Sequence, residues 1–249
     1  MNKNLFLILL NKAFKEKSGG TEPSGTIHLT QNGIFDVKEY ATADVEVPSY
    51  PPEWSEIGYN NTPIGILEGF NYAETIKNNW DSSITDRTES FKNDYNLTIF
   101  PFVDTSNVTT MYRMFITSSL ISFPLVDTSN VTDMRQMFSQ CRSLYSIPQL
   151  NTSKVTEISS MFVECGNLHD VPILDTHLVT GSHFLYTFSN CPNLTNESLN
   201  NILYMCAHSG VTNASYKKLS SVGLSTEQIT VCHSLSNYQA LLDAGWTDT

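Results

Sequence analysis

The sequence predicts an α/β fold, a short solenoid of about five helix–strand repeats of 23–24 residues. Two observations predict it. The segment DTSNVTTMYRMF (104–115) returns as DTSNVTDMRQMF (127–138), and related segments begin at residues 81, 151 and 175. Within each copy, apolar residues at helical spacing are followed by a short apolar segment that ends at a proline, which is typical of a helix followed by a strand.

The apolar residues of one copy define the side that each repeat must bury. In the third copy they stand at offsets of 0, 3, 6, 7, 10 and 13, and they are Val131, Met134, Met137, Phe138, Cys141 and Leu144. One repeat cannot bury this side alone, so neighbouring copies must stack. We expect a column formed by Phe115, Phe138, Phe162 and Phe188. The period lies within the roughly 20–29 residues of leucine-rich repeats, which makes a leucine-rich-repeat solenoid the predicted architecture.

Turn chemistry marks the ends of the predicted elements. Asp104, Asp127 and Asp175 carry carboxylates that can accept hydrogen bonds in a turn and at a helix start. Prolines at positions 101, 124, 148 and 172 would end each strand, because proline cannot donate to a ladder. Ser225 with Gln228 resembles a capping box, and Gly245 is a suitable helix stop.

The rest of the chain divides by composition. The segments are an N-terminal helix (1–17), a flexible linker (18–25), a small β-hairpin module (26–47), a proline-rich connector (48–53), an N-terminal cap of the solenoid (54–80), the repeats (81–196) and a helical C-terminal cap (197–249). Asn32-Gly33 is the strongest hairpin signal in the module. Three prolines stiffen the connector between the module and the cap.

The first helix is predicted to be a docking segment. Its apolar residues Leu5, Phe6, Leu9, Leu10 and Phe14 recur at spacings of four, and a flexible linker follows. The alternative is that the helix packs on its own domain. The apolar run is too short for an export signal and no cleavage motif follows it, so we do not expect export through this segment.

The five cysteines are expected to be structural. Cys141, Cys165 and Cys191 each lie three residues after a phenylalanine and three before a leucine, and Cys206 and Cys232 complete the set. A fixed position in a repeat and an odd total favour free buried thiols over a disulfide framework. No closely spaced ligand pair points to zinc.

Charge and motifs limit the function. The chain of 249 residues has a net charge of −11, with 25 acidic and 14 basic residues, so nucleic acid and anionic membranes are not expected as partners. Histidines and serines form no recognised catalytic motif, and no glycine-rich phosphate loop occurs. The sequence therefore predicts a protein that is not an enzyme and needs no cofactor or metal.

The recurring motif resembles a known family. The pattern D-T-S-N-V-T-x-M-x-x-M-F-x-x-C-x-x-L across residues 104–194 is similar to BspA-like leucine-rich repeats of bacterial surface proteins and of phage and prophage proteins. The resemblance implies surface display and binding of proteins or glycans, without shared catalytic residues. The hairpin module also resembles a short module common in phage tail and virion proteins.

Two locations follow from this resemblance. The favoured one is the virion surface, where a phage structural protein (a head or tail fibre, or a decoration protein) docks to other virion proteins through residues 1–17 and binds a host-surface protein or glycan. The alternative is a bacterial cell-surface adhesin. Decoration without any ligand is a third reading. A homotrimer stays open because phage fibres are commonly trimers, although no long coiled-coil pattern occurs.

Candidate ligand-binding residues are those that the repeat packing leaves free. They are Tyr112, Arg113, Arg135, Gln136, Tyr145 and His169. They differ between copies while the apolar pattern repeats, and Tyr and Arg are enriched at binding hot spots. The alternative is that they are ordinary solvated positions.

Overall fold

The computed structural model describes residues 72–73 and 75–249. The predicted docking helix with Leu5, Phe6, Leu9, Leu10 and Phe14 lies outside the described residues. So do the linker, the hairpin module, the connector and most of the predicted N-terminal cap.

The α/β prediction is wrong. No described residue belongs to an extended strand, and residues 81–195 contain no helix. Helical residues occur at 72–73 and 75–78, and the other described helices all follow the repeats. They are α1 (Asn196–Ala207), α2 (Leu219–Val222), α3 (Thr226–Cys232) and α4 (Tyr238–Asp243). The repeats are therefore not the helix–strand units of the predicted leucine-rich-repeat solenoid. They are successive turns that stack on one another, here called the repeat stack (81–194).

The segment predicted as a helix in each copy is a run of consecutive turns, such as residues 112–117 of the second copy, and is here called a ribbon. In the second copy the Met114 N–H donates to the Met111 carbonyl within the segment, over 3.1 Å. The Arg113 N–H instead donates to the Arg135 carbonyl of the next copy, over 2.9 Å, and Thr117 does the same with Ser139. Because alternate N–H groups bond to the neighbouring copy, the continuous i to i−4 ladder of an α-helix cannot form.

Two positions in every ribbon have a left-handed backbone. The first holds Glu89, Arg113, Gln136, Ser160 and Tyr186, with φ between 54° and 57°. The second holds Asn93, Thr117, Gln140, Glu164 and Asn190, with φ between 58° and 62°. A helix requires negative φ throughout, so these residues break the helical path every four residues.

The predicted strands are reduced to single bridges. One series of parallel bridges joins Asp86, Thr110, Asp133 and Glu157, and a second joins Ile99, Ser122, Ser146 and Asp170. Each bridge of the second series stands two residues before a proline. Proline has no N–H and restricts the residue before it, so pairing does not extend into a strand.

The side that the apolar spacing predicted to be buried is confirmed. Val131, Met134, Met137, Phe138, Cys141 and Leu144 are all fully buried. The predicted phenylalanine column is also confirmed, and Phe91 extends it. Neighbouring rings from Phe91 to Phe188 stack with centroids 5.6–5.7 Å apart.

Aspartates hold the turns, as predicted, although no helix follows them. The carboxylates of Asp104, Asp127 and Asp175 each accept the N–H of the residue two positions later, over 2.9–3.1 Å. This lowers the pKa of Asp104, chiefly through its hydrogen bonds to Ser106.

The C-terminal helices contact the last copy of the repeat stack. The N–H groups of Tyr186 and Phe188 donate to the carbonyls of Ser221 and Val222, the last two residues of α2. The predicted capping box is confirmed at the start of α3, where Ser225 and Gln228 bond reciprocally. Gly245 follows α4 with φ of 80°, as expected of a helix stop. No helix in the described part of the chain is long and apolar enough to span a membrane.

Candidate functional site

Four of the six candidate residues lie on the turn ribbons of the second and third copies. Arginine side chains approach the Tyr112 ring from two copies. The Arg113 guanidinium carbon lies 5.0 Å from the ring centroid, and that of Arg135 lies 4.9 Å from it. Both distances permit cation–π attraction. Cations of its own copy and of the next therefore both lie close to the Tyr112 ring.

Carboxylates and an amide fix the two arginines. Arg113 donates to the Gln136 side chain and, over 3.3 Å, to Glu89 of the first copy. Arg135 Nη2 donates to Asp133 over 2.6 Å, and Arg135 Nε lies 3.8 Å from Glu157 of the fourth copy. The hydrogen bond to Asp133 raises the pKa of Arg135. We call this set the arginine network; it comprises Glu89, Tyr112, Arg113, Asp133, Arg135, Gln136 and Glu157.

The network crosses four copies and remains accessible. The side chains of Arg113 and Arg135 are 34% and 42% exposed. Three carboxylates face two guanidinium groups, so the fixed charges nearly balance. Because ion pairs with this exposure each contribute about 0–1 kcal/mol, the network orients side chains more than it stabilises the fold.

The other two candidates form a separate pair. The Tyr145 and His169 rings stack with centroids 4.4 Å apart. The His169 N–H donates to the Tyr145 carbonyl over 2.8 Å, and its ring Nδ1 lies 2.7 Å from the Asn167 carbonyl oxygen. Burial raises the pKa of Tyr145. We call these two residues the Tyr145–His169 pair.

The six predicted residues therefore fall into two groups. All six are intermediate in exposure, neither buried nor fully open. Within the part of the chain that the structure describes, no hydrogen bond, ion pair or ring contact joins the arginine network to the Tyr145–His169 pair.

An open cleft of about 540 Å³ lies where α1 meets the fourth and fifth copies. The polar and aromatic side chains that line it include Gln149, Asn151, Asp175, His177, Tyr204 and His208. The repeat pattern did not single these residues out. One signal was present in the sequence: His177 stands where the second and third copies have Ser106 and Ser129. We call this feature the α1 cleft.

The thiols offer no nucleophile. All five cysteines are free and buried, as predicted. Cys141, Cys165 and Cys191 each donate to the phenylalanine carbonyl of the preceding copy over 3.0 Å. Burial raises the pKa of Cys141 to about 11 and that of Cys191 to about 12. A thiol that stays protonated at neutral pH attacks substrates poorly. Among residues 72–73 and 75–249, no group of three or more His, Cys, Asp or Glu is placed to hold a metal ion.

Comparison with protein-family models gives a match. A family model described as "Mycoplasma protein of unknown function, DUF285" matches residues 66–172 and again residues 117–213. Together the two matches span more than half of the chain, and they overlap as expected of a repeated sequence. The family is associated with BspA-like surface repeat proteins, which confirms that part of the resemblance. No protein with a curated description and no solved structure shows significant similarity. The chain belongs to the DUF285 family.

Proposed function

We propose that this protein is a non-enzymatic binding protein, displayed on a surface, whose repeat stack carries contacts for a host-surface protein or glycan. One observation carries the proposal. The first left-handed position of each ribbon has φ within 54–57° in all five copies, yet it holds Glu, Arg, Gln, Ser and Tyr in turn.

This observation is informative because a left-handed backbone is unfavourable for residues other than glycine. A left-handed backbone costs a non-glycine residue about 1–2 kcal/mol, and glycine would remove that cost. None of the five copies has glycine at this position. The side chains are therefore kept although the backbone disfavours them. A constant frame with changing side chains is the layout of a binding surface.

The arginine network is the part of this surface best suited to a partner. Two arginines and a tyrosine supply large contact area with hydrogen-bonding ends. Contacts between copies already hold them in place, so less side-chain freedom is lost on binding.

Paired alanine substitutions test the proposal. Tyr112→Ala with Arg135→Ala, or Tyr145→Ala with His169→Ala, should weaken attachment of the labelled full-length protein to intact bacterial cells by about tenfold or more. The readout is flow cytometry across a panel of intact cells. Melting should fall by a few degrees at most, because the ion pairs lost in the first variant are accessible and the rings removed in the second are only half-buried.

The matched control replaces the same residue types elsewhere. Tyr95 is 66% exposed, and the Arg142 side chain is 72% exposed and lies outside both groups. Tyr95→Ala with Arg142→Ala should leave attachment unchanged. Unchanged attachment in both test variants would contradict the proposed surface.

For the location we propose the virion surface. The apolar periodicity of residues 1–17 and the resemblance of the hairpin module to phage virion modules support it. The association of the family with BspA-like surface repeat proteins supports the alternative, a bacterial cell surface. A virion protein would bind other virion proteins through Leu5, Phe6, Leu9, Leu10 and Phe14.

Removing the docking segment separates these locations. Deletion of residues 1–17 should leave the circular dichroism and melting of the repeat stack intact and should abolish incorporation into purified phage particles, as measured by mass spectrometry. Lys3→Ala keeps the apolar spacing and should incorporate normally. Loss of the melting transition on deletion would show that the segment packs on its own domain, and recovery of the intact protein in the cell envelope would favour the alternative.

A further inference from the structure

We propose that the α1 cleft binds a neutral saccharide of at least two rings. This inference rests on the proposed binding function and names a ligand class at a site separate from the arginine network. The cleft volume of about 540 Å³ lies within the roughly 300–1,000 Å³ typical of small-molecule sites.

The cleft opens where a ladder of threonine hydrogen bonds is interrupted. Thr105 and Thr128 donate their hydroxyls to the Asp127 and Asn151 carbonyls of the next copy, over 2.6 and 2.8 Å. Thr176 donates to the Met205 carbonyl of α1 over 2.7 Å. The hydroxyl of Thr152, between them in the series, is buried and has no partner within residues 72–73 and 75–249.

An unpaired buried hydroxyl is costly, so its position is informative. Thr152 lines the cleft. The threonine hydrogen bond is therefore missing between the fourth and fifth copies, although their ribbons still pair, as in the bond from the Phe162 N–H to the Thr187 carbonyl. The fifth copy also has two more residues before its left-handed position, since Ser160 and Tyr186 are 26 residues apart whereas the equivalent residues of earlier copies are 23 or 24 apart.

Two stacked rings form one wall of the cleft. Tyr204 and His208 lie one helical turn apart at the end of α1, with ring centroids 3.9 Å apart. The His208 ring Nδ1 lies 2.8 Å from the Tyr204 carbonyl oxygen, which fixes the imidazole. Tyr204 is 37% exposed. A rigid, exposed aromatic surface suits the apolar C–H face of a sugar ring.

The residues that the repeats contribute to the cleft supply polar groups of both kinds. Asn151 Oδ1 is used within its own turn, whereas its Nδ2 has no partner among the described residues and can donate. Gln149 donates through Nε2 to the Ile173 carbonyl, which leaves its Oε1 as an acceptor. Asp175 uses one oxygen for His177 and keeps the other. Sugar hydroxyls both donate and accept, so this mixture matches them.

Charge decides between neutral and acidic sugars. Asp175 presents a carboxylate to the cleft, and no Lys or Arg among the described residues lines it. Hydrogen bonds to His177 outweigh burial and lower the pKa of Asp175, so the carboxylate is ionised at neutral pH. The Asp175 carboxylate, although hydrogen-bonded to His177, would repel an anionic sugar. The cleft is therefore expected to take neutral saccharides.

Titration with defined disaccharides tests this. Lactose, maltose, cellobiose and N,N′-diacetylchitobiose are added to the full-length protein, and saturation-transfer NMR and calorimetry report binding. At least one should bind saturably, and sialyllactose should bind more weakly than lactose. Tyr204→Ala should reduce affinity about tenfold or more, whereas Tyr204→Phe, which keeps the ring, should stay within about threefold. Tyr95→Ala serves as the control and should bind normally.

The outcomes separate this inference from the proposed function. Absence of saturable binding by all four neutral disaccharides, or equal binding by the Tyr204→Ala variant, overturns the cleft proposal. If the Tyr112/Arg135 variant still loses cell attachment in that case, the proposed function stands without the cleft. Tighter binding of sialyllactose than of lactose overturns the assignment to neutral sugars.

Discussion

Phe138→Ala is expected to lower the free energy of unfolding by about 3–5 kcal/mol, because it removes a fully buried ring from the middle of the column. The Phe138 ring stacks on Phe115 and on Phe162, each with centroids 5.7 Å apart, and meets Phe123 edge-on at 5.2 Å. The cavity would therefore lie between the second and fourth copies, where it interrupts the contacts that join one copy to the next.

Urea unfolding followed by circular dichroism measures the loss. The control is Leu125→Ala in the neighbouring copy, where the side chain is 48% exposed and a loss below about 1 kcal/mol is expected. If Phe138→Ala does not fold, Phe138→Leu should fold with a loss of about 1–2 kcal/mol. Similar small losses for Phe138→Ala and Leu125→Ala would show that the column does not hold the copies together.

The side chains that each repeat buries could be predicted from the sequence, but the conformation of its backbone could not. Apolar spacing reports which side chains face the core, and a ribbon of turns can satisfy the same spacing as a helix. Val131, Met134 and Met137 are buried in either case. The helix prediction failed because the N–H groups of residues such as Gln136 donate to the next copy, here to Ser159. Such bonds depend on the neighbour and leave no local signal in the sequence.

The strand prediction failed for a related reason. Short apolar segments before Pro124 and Pro148 have the composition of strands, yet each pairs through a single bridge, at Ser122 and at Ser146. Their prolines were read as the ends of strands, whereas they limit the pairing to one residue. Composition predicted correctly that these segments are buried, but it overestimated how many of their residues pair as a strand.

For the candidate sites too, the sequence was informative about single positions and not about their arrangement in space. Position in the repeat distinguished these residues from the core, and Tyr112 and Tyr145 are both intermediate in exposure and in contact with neighbouring side chains. It could not show that they belong to different groups, since this depends on how the ribbons and bridges are arranged in space. The α1 cleft was missed because Tyr204 and His208 come from a helix after the repeats, and Asn151 and Asp175 from the repeats.

Alkaline pH is expected to destabilise the protein steeply. Thiols in the unfolded chain ionise near pH 8.5, whereas burial raises the pKa of Cys141 to about 11 and that of Cys191 to about 12. Burial also raises the pKa values of Cys165 and Cys206 well above their usual range. Between about pH 8.5 and 11 the folded state binds more protons than the unfolded state. The contribution of these thiols to stability is therefore fully present below about pH 8.5 and falls as pH rises, by about 1.4 kcal/mol per pH unit for each such thiol.

A single serine substitution separates this effect from other alkaline titrations. Ser118 occupies in the second copy the position that Cys141 holds in the third, and it is buried there, so Cys141→Ser should fold. A hydroxyl does not ionise in this range. Urea unfolding at several pH values should therefore give Cys141→Ser a shallower decline than the wild type, by about 1.4 kcal/mol per pH unit up to about pH 11. Parallel declines would mean that the Cys141 thiol ionises as readily in the folded protein as in the unfolded chain, which is incompatible with its burial between copies.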